Sequence, residues 1–109
     1  MAEAGEAERF FESLKADFDT ASALRWMFLL SGATEDQVEP LMEEISRLGF
    51  ADIEPLIDDE QEARFILGFS EVRVHTAQSF AERAAVVKQL ADREGLTVDD
   101  VSAGLPEPK

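Results

Sequence analysis

The chain has 109 residues, 45% of them hydrophobic and eight of them Phe, a length that fits one domain able to bury roughly two-thirds of the surface its unfolded chain exposes. Asp and Glu number 24 against 10 Lys and Arg, a formal charge of −14 that repels phosphate backbones and anionic lipid and favours basic partners. The absence of Cys excludes a disulfide framework, thiolate metal ligands, a Cys nucleophile and an iron–sulfur cluster.

The stretch Met1 to Glu8 is acidic and Ala-rich, without the positive and apolar regions of a secretory signal. The longest apolar run, Trp26 to Leu30, is too short to span a bilayer. These features lead us to expect a soluble, unprocessed, cytoplasmic protein that does not engage a membrane.

Phe10, Phe11, Leu14 and Phe18 recur at helical spacing, so Ala7 to Phe18 is expected to form an amphipathic helix. Leu24, Trp26, Phe28 and Leu30 alternate with Arg25, Met27 and Leu29, the pattern of a strand with two fairly apolar faces that ends at Ser31 and Gly32. Thr34 and Gln37 then match a capping box opening a helix along Val38, Leu41, Met42, Ile45 and Leu48. Pro40 implies either a kink there or a start near Glu39. Gly49 followed by Phe50 matches a Schellman stop.

Asp52 to Ile57 is expected as a short strand, confined to an edge or a bulge by Pro55. Asp58 to Glu62 is its acidic connection. Phe65, Leu67 and Phe69 share one parity while Val72 and Val74 take the other, which predicts a long strand bulged near Gly68 and Ser70. Ser79 with Glu82 predicts a second capping box, and Phe80, Ala84, Val87, Leu90 and Ala91 mark its helix, which stops at Gly95 before Leu96. Thr97 to Ala103 is a last short strand, and Leu105 to Lys109 a tail with two prolines.

A strand, a capped helix and a short strand thus occur twice. With right-handed crossovers this doubled unit gives an α+β fold, the ferredoxin-like split βαβ (β-α-β-β-α-β), with a four-stranded antiparallel sheet and an extra N-terminal helix. Strands one and three are central, and strands two and four are edges guarded by Pro55 and by Asp99 and Asp100. The expected division is residues 1–22 for the N-terminal helix and linker, 23–104 for the ferredoxin-like domain and 105–109 for a flexible tail.

His75 is the single histidine and is expected to stand exposed at the end of strand three. No catalytic set converges, the carboxylate clusters lack EF-hand spacing, and neither a Walker loop nor G-x-G-x-x-G occurs, so no catalytic, metal-binding or cofactor-binding residue is assigned. Some ferredoxin-like sheets stack RNA bases on strands one and three. Here Trp26, Phe28, Phe65 and Phe69 belong to the face that covers the helices, and the charge opposes RNA, so no direct nucleic-acid binding is expected. The other face would carry Arg25, Met27, Leu29, Arg64, Ile66 and Arg73, a candidate interface whose apolar centre calls for cover by the N-terminal helix, a second subunit or an acidic ligand.

This arrangement resembles the regulator of ribonuclease activity B family, the protein inhibitors of ribonuclease E. The likeness rests on the acidic amphipathic helix at Glu8 to Asp17, the Asp-x-x-x-Ala-Leu lead-in from Asp19 to Leu24 and the strand ending Leu30-Ser31. It continues through a capped acidic helix and the Leu48-Gly49-Phe50 stop, spanning roughly residues 8 to 104. At the final strand, where family members often have a Tyr-Asp-Gly-Trp-Gly-like motif, this chain has Asp99 to Gly104. The resemblance implies a bacterial regulator that needs no cofactor and binds the ribonuclease's scaffold region. The residues expected to meet a basic partner segment are Glu43, Glu44, Asp58, Asp59, Glu60, Glu62, Asp99 and Asp100. The alternative is a ferredoxin-like module that senses a small molecule or dimerises through the open sheet face, and the chain is expected to be a monomer or a homodimer.

Overall fold

The computed structural model describes residues 4–59 and 63–106. The elements run α1 (Ala4–Leu14), β1 (Leu24–Ala33), α2 (Glu35–Arg47), β2 (Ala51–Ile57), β3 (Phe65–Arg73), α3 (Ala77–Glu94) and β4 (Thr97–Gly104). The sheet order is β2-β3-β1-β4, antiparallel throughout, so the α+β ferredoxin-like layout and the central places of β1 and β3 are as the sequence pattern predicts.

Alternation along β1 and β3 decides which residues meet the helices. Leu24, Trp26, Phe28 and Leu30 are buried, as are Leu67 and Phe69, and they pack on Leu41 and Ile45 of α2 and on Phe80, Val87 and Leu90 of α3. The rings form a connected stack: Phe28 lies parallel to Phe69 with centroids 5.7 Å apart, and Trp26 meets Phe80 at 4.9 Å. Trp26, Phe28 and Phe69 therefore lie beneath the helices, whereas Phe65 is half-buried.

Helix α1 joins the same side. Ala7, Phe11 and Leu14 are buried, Phe11 stacks on Trp26 at 5.8 Å and Phe10 packs on Phe80 at 5.5 Å. The N-terminal helix thus does not cover the open face. Ser13 Oγ donates to the Phe10 carbonyl, and the chain turns after Leu14, with the Phe18 amide donating back to the Leu14 carbonyl at 2.8 Å.

Three local expectations are corrected, and the choice left open at Pro40 is resolved. Strand β1 continues through Ser31 and Gly32 to Ala33, because Gly32 adopts φ +94 and absorbs a bulge between Ser31 and Ala33. Helix α2 begins at Glu35 and carries Pro40 inside it, with Thr34 N donating to Gln37 Oε1 at 2.9 Å as the capping motif requires. Helix α3 begins at Ala77, capped by Thr76: the Ser79 amide donates to Thr76 Oγ1 at 3.0 Å and the Thr76 amide to Ser79 Oγ at 2.8 Å. Finally, β3 pairs with β1 without interruption from Leu24↔Arg73 to Ser31↔Ile66. The irregularities fall elsewhere, at Asp99 in β4 and near Asp52 in β2.

Both long-helix stops are Schellman motifs. The Phe50 amide donates to the Ile45 carbonyl and the Gly49 amide to that of Ser46, while the Leu96 amide donates to the Ala91 carbonyl at 2.7 Å. Gly49 has φ +97, and a Cβ there would lie 3.5 Å from Arg83 Nη2. Gly49→Ala is therefore expected to cost about 1 kcal/mol in urea unfolding. An unchanged midpoint would show that α2 does not need this left-handed stop.

Candidate functional site

Three places bring chemistry together: a trough beside α2, the open sheet face, and a buried polar cluster between β3 and α3.

The trough is set by the amphipathicity of α2. Leu41 and Ile45 turn into the core, so carboxylates occupy the flank. Glu35, Asp36, Glu39 and Glu43 line a cavity of about 680 Å³ together with Val38, Pro40, Pro55 and Phe65. A second hollow of about 540 Å³, lined by Met42, Glu43, Ser46, Arg47 and Ile53, shares Glu43 with it and continues along the same helix. Glu35, Glu39 and Glu43 repeat every four residues, a rise of about 6 Å per step. The result is an apolar floor below a ladder of carboxylates, which suits side chains with an aliphatic stem and a cationic head.

The acidic residues singled out from the sequence do not share one surface. Glu43 lines the trough, whereas Glu44 is half-buried and paired with Arg93 at 2.5 Å. Asp58 and Asp59 follow β2 at one edge of the sheet, while Asp99 and Asp100 lie on β4 at the opposite edge. Glu60 and Glu62 lie outside the described residues. Glu35, Asp36 and Glu39 were missed because near a helix start they read as ordinary capping and solvated positions. The four-residue spacing of Glu35, Glu39 and Glu43 was the available signal.

On the open face, Arg25, Met27 and Leu29 of β1 lie beside Val72, Ser70 and Gly68 of β3. Ile66 pairs with Leu56 of β2, and Arg64 stands exposed in the turn before β3. Arg25 is engaged within the chain: its Nη2 meets Asp52 Oδ2 at 2.5 Å and its Nε donates to Ser70 Oγ at 3.4 Å. Asp52 holds φ +52, a left-handed position that Asp tolerates better than most side chains. Arg73 is not on this face. The unbroken register sets it opposite Leu24, and its Nη1 lies 3.5 Å from Glu71 Oε1. Arginines therefore do not ring the open face, and Asp52 and Glu54 line its hollow of about 210 Å³ beside Arg25.

The buried cluster was not anticipated. His75 is 3% exposed rather than solvent-facing: its Nε2 lies 3.0 Å from Glu71 Oε2 and its Nδ1 2.8 Å from Ser79 Oγ. Arg83 Nε donates to both Glu71 oxygens at 3.2 and 3.3 Å, and its Nη2 to the Leu48 carbonyl at 2.5 Å. Its guanidinium also lies 4.0 Å above the Phe50 ring. Burial opposes ionisation of Glu71, but hydrogen bonds and charges from His75 and Arg83 outweigh it, holding this carboxyl below its ordinary value of 4.5.

Ser79, His75 and Glu71 line up in the order of nucleophile, base and orienting acid, yet Ser79 Oγ is also bound to the Thr76 amide as the helix cap. Trp26 Nε1 donates to the Arg73 carbonyl at 2.9 Å beside the His75 ring. The cluster ties β3, the start of α3 and the end of α2 together. Among the described residues no buried side-chain nitrogen or oxygen lacks a hydrogen-bond partner, no group of His, Asp and Glu is arranged to hold a metal ion, and no helix is long and apolar enough to cross a membrane. No model of a known protein family matches the chain, and no curated protein matches it either.

Proposed function

We propose that this chain is a non-enzymatic regulatory protein, similar in role to the ribonuclease E inhibitors it resembles, and that it holds a basic segment of a protein partner in the trough along α2. One observation carries the reading: Glu35, Asp36, Glu39 and Glu43 stand over a floor of Val38, Pro55 and Phe65. Carboxylates in such a row steer a cationic segment and set its association rate, while the apolar floor sets how long it stays. The net charge of −14 extends the steering beyond the trough itself. A bacterial, cytoplasmic setting belongs to the same reading.

Two arms test it. An arginine-rich peptide should bind, with affinity falling steeply between about 50 mM and about 500 mM salt; binding indifferent to salt would count against electrostatic docking. Ribonuclease E cleaving a structured RNA should slow when the chain is added. Unchanged cleavage, together with no binding to the enzyme's scaffold region, would remove the ribonuclease part of the proposal.

A further inference from the structure

We infer that the open face of the sheet is the interface of a homodimer. This surface is separate from the trough and does not depend on what the trough binds.

The face has the build of an interface: an apolar centre within a charged rim. Met27, Leu29 and Ile66 are half-buried, Leu56 is 45% exposed and Val72 55% exposed. Gly68 sits among them, with no side chain to fill the hollow beside Leu29 and Leu56. The helices α1, α2 and α3 all pack on the opposite side, so among the described residues no helix of this chain covers it. Strand register places Glu54 and Asp100 at the margins, while Arg25, on central β1, is paired with Asp52. Across one row of the sheet the order is Glu54, Gly68, Leu29, Asp100, with a carboxylate at each edge and none between.

Charge selects the occupant. Arg25 is neutralised by Asp52, so an acidic ligand meets no available cation at the centre, and a lipid surface meets a molecule of charge −14. A basic segment finds four carboxylates lining the trough against two, Asp52 and Glu54, lining this hollow, and Asp52 is already paired with Arg25. A second copy matches apolar centre to apolar centre about a two-fold axis and leaves the helices, with their acidic flanks, pointing outward. Size also fits. Four strands about 4.8 Å apart and about eight residues long give on the order of 500 Å² in projection. Side-chain relief brings that toward the roughly 800 Å² per partner of a standard interface.

The sign of the salt effect follows. Two copies of a strongly acidic chain repel, and salt screens that repulsion, so the dimer should tighten as salt rises while binding at the trough weakens. Sedimentation equilibrium of the full chain at about 50 mM and about 500 mM salt tests this, alongside Leu29→Asp and Val72→Lys. The second variant alters a residue already half exposed, and circular dichroism checks that both fold. The wild type should show twice its 12.1 kDa mass, more completely at high salt, and each variant should weaken the dimer at least about tenfold. A wild type at 12.1 kDa at every concentration in both salts would overturn the inference, as would a dimer indifferent to both variants. Glu39→Gln should leave the dimer intact, so failure here and failure at the trough are told apart.

Discussion

Glu71→Gln is expected to destabilise the protein by about 3 kcal/mol at neutral pH, the scale for breaking a buried ion pair while leaving its partner in place. The change conserves shape but removes the charge that Arg83 and His75 face at 3.0 to 3.3 Å. Since Arg83 also binds the Leu48 carbonyl and covers Phe50, loosening it should disturb the end of α2 together with the start of α3.

The pH dependence has a definite sign. Glu71 titrates lower in the folded protein than its ordinary value of 4.5, so its contribution is complete above that value. It is lost as pH falls through the lowered folded-state pKa. Urea unfolding should therefore show a wide gap between wild type and Glu71→Gln at neutral pH, closing as the medium is acidified below about 4.5. A gap of constant width would mean that the side chain's shape matters and its charge does not.

Neutralising the trough is the second large effect. Replacing Glu35, Glu39 and Glu43 by Gln and Asp36 by Asn should slow association with an arginine-rich segment by about 10- to 100-fold at low salt. The dissociation rate should change much less, because Val38, Pro55 and Phe65 remain. These carboxylates stand on the flank of α2 away from buried Leu41 and Ile45, so the stability cost should be limited to about 1 kcal/mol from losing Glu35 and Asp36 in the helix's first turn. Replacing Asp99 and Asp100, at the far edge of the sheet, serves as the control. Equal slowing by that pair would mean that net charge, rather than the trough, sets the rate.

The apolar density of Leu24 to Leu30 was enough to place β1 at the centre of the sheet, and Pro55 was enough to place β2 at an edge. Both follow from rules that act within a few residues. The bulge expected in β3 failed for a different reason. Glu71 occupies an inward position, and a charged residue there breaks the hydrophobic alternation. Its partners, His75 and Arg83, come from beyond the strand, and only the folded chain brings them to it. The exposed Val72 and Val74 completed the false phase, which in turn put Arg73 on the wrong face.

The start of α3 departs from the expected pattern because Ser79, rather than a Glu or Gln, fills the fourth position of the capping box opened by Thr76. The candidate site was legible as a kind of surface and not as a place. Composition shows an excess of carboxylates, but which ones converge depends on the side of α2 left uncovered by the sheet. Glu44, one residue from Glu43, turns instead to Arg93.

The central claim is that the trough along α2 is where a basic segment docks. Its most direct test is nitrogen-15 chemical-shift mapping of the full chain, titrated with an arginine-rich peptide at low salt. The account predicts the largest shifts at Glu35, Asp36, Glu39, Glu43 and Phe65. Shifts centred on Met27, Leu29 and Ile66, or spread evenly over all the acidic residues, would contradict it.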